Sequence, residues 1–518
     1  MVDSNDNRTN CICRPGFVST ATPTNGTITC AECPSGLNCL SPGRDLKDVP
    51  SSTGFWRPLS MTSARDVYRC SSMGCRGGTF SDQCYDGYEG VLCGVCSDGR
   101  MKIGQTCAAC LHPAVVVIGL VVLIAVTLAL VYHLCTRLDE ADASSVAPFK
   151  ILSSHLQLLS LLMSFAFVWP DRAAMGLQFS GTASFSVAAL LSSMDCLVRV
   201  PYYLRLPIVL PSSILLWIGV LSVALLFRLL ACFSTRFARR SRTTTSTASS
   251  ILVTSAVTSL LFTHPYVMAS ALSVFQFHSV SGASYVAEDL SVTCSGVSYR
   301  AAQAGAGLAL LFHCCAAPLA LFSLALRSRG PVGRATMACA SSGYRPHRWW
   351  WEFVSLLRRM VIATLAMLSY SSTTTGGANA VSLSATASIA GGVLALFLVA
   401  AAHVAPYPTK THNALETCST FLLVCTVFGG YAATQNVESA QRSSAFAVAT
   451  AWLLLGAHAL LVAALGVLVG RGYSRKVYDS VRRRLSRNAR RSAADEPPDP
   501  KAGTALHRPL LSEHMTPT

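Results

Sequence analysis

Twelve of the 21 cysteines, Cys11, Cys13, Cys30, Cys33, Cys39, Cys70, Cys75, Cys84, Cys93, Cys96, Cys107 and Cys110, precede the first long apolar run. Thiols at that density either oxidise in pairs or hold a metal. The two-residue gaps at Cys30–Cys33, Cys93–Cys96 and Cys107–Cys110 suit zinc. Two features favour disulfides. The stretch is rich in Gly and Pro and lacks the apolar periodicity of a core, so it folds only when stapled, at ~2–4 kcal/mol per bond. Both glycosylation sequons, at Asn7 and Asn25, also lie in it, as on an exported segment. Cys196 and Cys294 fall in later outer loops and are expected to pair with each other. The remaining seven should be free thiols. No metal and no cofactor is expected.

The other chemically capable residues are charges inside apolar runs. Arg358 and Arg359 lie about two turns into the sixth run and Glu416 opens the eighth. Each ionised group costs ~2.5–3.5 kcal/mol in lipid on insertion scales and normally faces a partner or cavity. The arginine pair is expected to meet Glu416 or, alternatively, Glu352. The competing reading is that both arginines snorkel to headgroups beside Trp349, Trp350 and Trp351, as Arg228 does near its own helix end. His155, His313, His403 and His458 read as hydrogen-bonded packing residues rather than proton relays. His264-Pro265 and Pro318 mark kinks. Ala301, Gly305 and Ala309, and Ser384, Ser388 and Gly392, permit close helix approach. There is no phosphate-binding glycine loop, nucleophile elbow or His/Glu metal motif, which argues against an enzyme.

These residues are positioned by nine apolar runs, at 114–134, 151–169, 208–230, 251–275, 301–326, 353–370, 381–404, 414–433 and 445–470. Hydrophobic residues make up 51% of the chain, charged residues 13%, and the mean hydropathy is +0.44, too apolar for a soluble protein of this size. About 20 apolar residues cross a bilayer core as helix, since a lone strand would leave its backbone unpaired in lipid. With the head outside, the inner segments hold 21 Lys and Arg and the outer loops five, so the N-terminus is outside and the C-terminus cytosolic. The serine-broken stretch 180–198, with Asp195, is taken as an interfacial or re-entrant outer helix, because a tenth span would put the arginine-rich loops outside. The formal charge of +16 sits largely beside the spans on one side, where it meets anionic inner-leaflet lipid rather than nucleic acid. Beyond 470, Val477, Val481 and Leu485 on a basic face suggest an amphipathic helix, followed by a disordered tail. Met1–Asn5 is polar and no signal peptide is seen, so the chain is read as the downstream part of a longer gene.

The fold expected is therefore an all-α polytopic membrane helix bundle with a small disulfide-rich extracellular head. It divides into 1–50 and 51–112 (cysteine-rich), 113–470 (membrane bundle) and 471–518 (basic helix and tail). Cys84-Tyr85-Asp86-Gly87-Tyr88-Glu89-Gly90 through Cys93-Gly94-Val95-Cys96 resembles the second half of a laminin-type EGF-like module. Cys11-Ile12-Cys13-Arg14-Pro15-Gly16-Phe17 with Cys30-Ala31-Glu32-Cys33-Pro34 resembles the cysteine-rich repeat of ephrin-receptor ectodomains. From about residue 51 to 471, Lys150-Ile151-Leu152, Val168-Trp169-Pro170, Asp195-Cys196-Leu197, Trp350-Trp351-Glu352 with Leu357-Arg358-Arg359, and Pro406-Tyr407 with Asn413-Ala414-Leu415-Glu416 resemble large membrane proteins of single-celled eukaryotes and algae. Those proteins join such repeats to a transient-receptor-potential-like bundle. The resemblance implies a plasma-membrane cation channel or sensor. A receptor or adhesion protein, and a lipid-handling protein, are the alternatives. A homo-oligomer and an extracellular protein or glycan ligand are the partners expected. Against a familiar channel, no run carries arginine at every third position, and the loops 371–380 and 434–444 are short for a pore helix with its filter. Acidic pore residues are confined to Glu438, or Glu288 and Asp289, so any pore forms between subunits or along a helix bundle.

Overall fold

The computed structural model describes residues 3–4, 11–19, 29–58, 66–70, 74–79, 82–103, 106–110, 112–137, 143–165, 167, 169, 196–198, 200–233, 248–327, 330–374, 383–439 and 445–494. Asn7, Asn25, residues 180–195 and the 236–242 connector lie outside them. The chain forms two compact units, Met1–Gly466 and Val467–Thr518.

Among the described residues the strands of the head form two-stranded antiparallel pairs: β1 (Asp3–Ser4) with β2 (Cys11–Ile12), β3 (Phe17–Ser19) with β4 (Cys30–Glu32), β5 (Phe55–Trp56) with β6 (Tyr68–Arg69), β7 (Tyr88–Glu89) with β8 (Val95–Cys96), and β9 (Arg100–Ile103) with β10 (Thr106–Ala109). Such ribbons bury too little to stand alone. Five disulfides staple them: Cys13–Cys30, Cys33–Cys39, Cys70–Cys75, Cys84–Cys93 and Cys96–Cys107. Each two-residue cysteine gap is thereby split between different bonds, which removes the geometry zinc would need. Val18, Leu37, Cys39 and Val49 form the small apolar centre. Arg57, only 1% exposed, ties it together. Its backbone exchanges hydrogen bonds with the Gln83 amide (2.9 and 3.0 Å), and its guanidinium donates to the Leu46 carbonyl at 3.1 Å. Burial pushes this guanidinium below its ordinary range, while Asp48 opposes the shift.

The bundle comprises α1 (Pro113–Arg137), α2 (Ala143–Leu162), α3 (Tyr202–Val209), α4 (Ser212–Phe233), α5 (Ala248–Ser273), α6 (Gly296–Leu310), a π turn (Leu311–Ala316), α7 (Ala317–Arg327), α8 (Gly330–Ser341), α9 (Trp351–Thr374), α10 (Leu383–Val404), α11 (Lys410–Ser439) and α12 (Ala445–Ala494). Among the described residues five helical segments are long and apolar enough to cross a membrane, or six if α3 and α4, bent by 48°, make one span. α6, the π turn and α7 together form one of them. Large apolar side chains such as Ile118, Val121, Leu215, Leu396 and Leu453 point outward, as a bilayer-facing surface requires and a water-facing one does not. This is the make-up of an integral membrane protein.

The main core packs Leu158 and Leu162 of α2 against Ile362 of α9, Leu394 of α10, Leu423 and Val427 of α11 and Ala451 of α12. Gly391 lets the Phe428 ring of α11 close onto α10. The small-residue stripe read from the sequence is thus out of register. Ser388 and Gly392 are exposed, whereas Ala387, Ala390 and Gly391 are buried. Equal spacing fits both faces, and the partner helix selects one.

Between α5 and α6 the chain makes a hairpin, β11 (Phe277–Val280) with β12 (Ala283–Val286), absent from the sequence reading. Its two-residue turn, Ser281-Gly282, has positive φ at both positions (51° and 80°), the I′ geometry that matches strand twist. Cys196 bonds to Cys110 and not to Cys294, which stays a free thiol. The expected pairing fails because Cys110, three residues before Pro113, sits at the rim of α1, and the head is not closed upon itself. Cys294 is instead built into the hairpin base, its N–H donating to the Ser284 carbonyl at 2.7 Å. The Cys11 thiol lies outside the described residues.

Candidate functional site

Helical spacing gathers the polar side chains of three helices onto facing stripes. Lys150, Ser154 and Gln157 recur at four and three residues on α2, and Glu352, Ser355 and Arg359 at three and four on α9. Glu416, Ser419 and Thr420 share a face of α11. Where these faces meet, Arg358 Nη2 lies 3.1 Å from Glu416 Oε1, with both side chains no more than 4% exposed. The same guanidinium donates to Thr420 Oγ1 at 3.1 Å and Ser154 Oγ at 3.0 Å. Arg358 is thus directed into the bundle, 3% exposed, and not to its surface. Arg359, 7% exposed, donates to Ser355 Oγ at 3.4 Å, and among the described residues no carboxylate oxygen lies within 4.0 Å of it. Glu352 goes instead to Lys150, at 2.8 Å, a pairing the sequence reading missed. Lys150 also donates to the Cys339 carbonyl and stacks over the Tyr344 ring. The side chain of Arg228 lies outside the described residues.

A cavity of about 90 Å³ opens beside this cluster, lined in part by Lys150, Gln157, Tyr344, Glu352, Arg359 and Glu416. Arg359 Nε and Gln157 Oε1 are buried without a hydrogen-bond partner. Burial holds the phenols of Tyr344 and Tyr407, in the connectors flanking α9 and α11, well above their ordinary range, so neither adds charge. The local sum is three cations against two carboxylates.

A second polar chain follows on the same side of α11. Thr426 donates its hydroxyl proton to the Leu422 carbonyl at 2.8 Å, so its oxygen must accept from His458 Nε2, also at 2.8 Å. His458 Nδ1 is then the acceptor for His155 Nε2 at 3.1 Å, and His155 Nδ1 accepts from Ser419 at 2.9 Å. One self-consistent set of tautomers satisfies every atom with both imidazoles neutral. His264 Nε2 donates to the His313 carbonyl at 2.9 Å, an oxygen inside the π turn. His403 is exposed.

On the opposite side the head is fastened to the bundle. Leu92 packs with Val280 and Leu290, flanked by Trp56, Tyr68, Val95 and Tyr285. The Ser281 N–H donates to Tyr68 Oη at 2.9 Å, and Lys102 Nζ donates to the Glu288 carbonyl at 2.8 Å. Beneath them His278 is held near pH 4 by burial, with the Lys102 charge adding to the shift. A cleft of about 560 Å³ on the head is lined by Trp56, Tyr85, Asp86, Tyr88 and Glu89 among others. Among the described residues no three His, Cys, Asp or Glu side chains converge as a metal site.

Neither family models, curated proteins nor solved structures match this chain.

Proposed function

We propose that the chain is a nine-span plasma-membrane protein with its head outside and its C-terminus cytosolic, acting as a cation channel or sensor of the transient-receptor-potential-like kind. The observation that carries this reading is the buried charge: Glu352, Arg358, Arg359 and Glu416 all lie below 9% exposure in an otherwise apolar bundle. At ~2.5–3.5 kcal/mol each on insertion scales, such groups mark functional positions in membrane helices. The span count adds α1, α2 and α9 to the six apolar segments, and the loop arginines favour the stated orientation. The head, the Cys196 segment and the hairpin all meet on one face, as this topology requires. A displacement of the head is delivered to the outer ends of α5 and α6 through the Leu92–Leu290 contact. The cluster carries one positive charge in excess, so it serves as a sensing element, and the cation path forms between subunits of a homo-oligomer.

A second reading is a receptor whose helices anchor it and signal inward, favoured by the aromatic and acidic cleft, whose volume falls in the range of ligand sites. The test is to record currents from purified protein in planar bilayers, comparing wild type with Glu416→Gln and Cys196→Ser. A cation conductance altered by both substitutions supports the first reading. Absence of conductance under every stimulus, with soluble ligand bound by the full chain and lost in Tyr88→Ala, replaces it with the second.

A further inference from the structure

The cavity beside the charge cluster has a composition that the two ion pairs do not explain. Glu352 pairs with Lys150 and Glu416 with Arg358, while Arg359 shares only the more distant field of the same two carboxylates, so the cluster holds one positive charge in excess. An excess charge in a buried cluster is costly, and Arg359 retains an unused Nε–H. Gln157, 3% exposed, faces the same space with an acceptor oxygen that receives no hydrogen bond. Ser153 and Tyr344 add hydroxyls to the lining. With the Gln157 amide turned this way, the occupant that meets every group brings one negative charge, several acceptors for the arginine fork, and one proton to donate.

A halide or a carboxylate supplies the charge and no proton. A phosphate diester likewise has no proton to give. A monoprotonated phosphate monoester, or dihydrogen phosphate itself, satisfies all three demands. The space agrees: the cavity of about 90 Å³ is several times the ~10–15 Å³ of such space that one water needs, so a tetrahedral oxyanion fits.

We propose that this cavity binds a phosphate monoester group, with Arg359 clamping its oxygens and Gln157 Oε1 accepting its P–OH. Val146 and Phe149 at the start of α2 and Ser342 beyond α8 form part of the rim. That rim opens to the cytosolic leaflet if the proposed orientation holds, and only the side of entry rests on that orientation. The group belongs either to a lipid headgroup such as phosphatidic acid or to inorganic phosphate. Fork-type arginine–phosphate contacts are among the stronger charge-assisted hydrogen bonds.

The experiment uses the full chain in phosphatidylcholine nanodiscs, accessible from both sides, and reads thermal stabilisation by inorganic phosphate, sulfate and chloride. Native mass spectrometry of nanodiscs doped with phosphatidic acid or phosphatidylglycerol reads retained lipid. Stabilisation by phosphate, or selective retention of phosphatidic acid, is expected, with binding weakened about tenfold or more by Arg359→Gln and by Gln157→Leu, each loss being one charge-assisted hydrogen bond or more. Arg359→Lys, which keeps the charge, retains binding in part and controls for misfolding. Phosphate acting without phosphatidic acid retention identifies the solute as the source, and the reverse identifies the lipid. Chloride equalling phosphate, phosphatidylglycerol equalling phosphatidic acid, or binding unchanged in Gln157→Leu overturns the proposal, whether or not the protein conducts.

Discussion

Replacing Glu416 with Gln removes one charge from the bundle and almost no volume. The Arg358 guanidinium cannot withdraw, since Ser154 and Thr420 hold it at 3.0 and 3.1 Å, and the next residue is another buried arginine. At the observed 3.1 Å, Coulomb attraction with an effective dielectric of ~20 is about 5 kcal/mol. Breaking such a pair by deleting one partner costs about 3–5 kcal/mol. Removing both charges is far gentler, because the desolvation of Arg358 disappears with its partner's. The expected pattern is a loss of about 4 kcal/mol for Glu416→Gln, a similar loss for Arg358→Gln, and much less than their sum for the double variant. Reversible unfolding by SDS in mixed micelles, followed by tryptophan emission, measures all four corners of the cycle. If the single losses add to the double loss within ~0.5 kcal/mol, the two side chains are not coupled and the buried-pair reasoning is wrong.

Peptide mapping under non-reducing conditions should recover Cys110 linked to Cys196 and Cys294 alkylated, and a Cys196–Cys294 peptide would contradict the described pairing. His278, with an ordinary value near 6.5 when unfolded and held to about 4 when folded, favours the folded state above pH ~6.5. That contribution, about 3 kcal/mol by linkage, is lost as pH falls toward 4. Hydrogen exchange across 277–286, corrected for intrinsic rates, should show the hairpin loosening over that window, and the effect should vanish in His278→Gln. Gly391→Val should cost about 1–3 kcal/mol by forcing the Phe428 ring away. Gly392→Val, with open space around it, should stay within ~0.5 kcal/mol, and equal losses at both positions would discard the described α10–α11 register.

The meeting of Arg358 and Glu416 was legible because charges inside apolar runs are rare and seek each other. Lys150 and Glu352 were not paired from sequence, where Lys150 reads as an inner-segment cation and Glu352 as the alternative partner of the arginine pair. The signal available was the polar stripe Lys150, Ser154 and Gln157 on an apolar helix. Cys196 was given the wrong partner, because twelve cysteines, an even number, precede the first apolar run and suggest a head that closes upon itself. Arg57 offered no sign at all: one arginine in a polar segment reads as surface until the chain folds around it. The hairpin between α5 and α6 hid in a stretch whose alternation is only four residues long on each side of Ser281-Gly282.

The π turn at Leu311–Ala316 also carries a geometric consequence for its helix. Inward positions below and through it recur at every fourth residue, Ala309, His313, Ala317, Leu321 and Ala325. In an unbroken helix at ~100° per residue, sixteen residues would swing that stripe about 160° around the axis. One residue accommodated in a wider turn takes back about 100° of the swing, so the lower half keeps its small side chains toward its neighbours. Length is therefore information in this segment. Deleting a single residue would leave the composition nearly intact while turning the lower half's inward row out toward lipid.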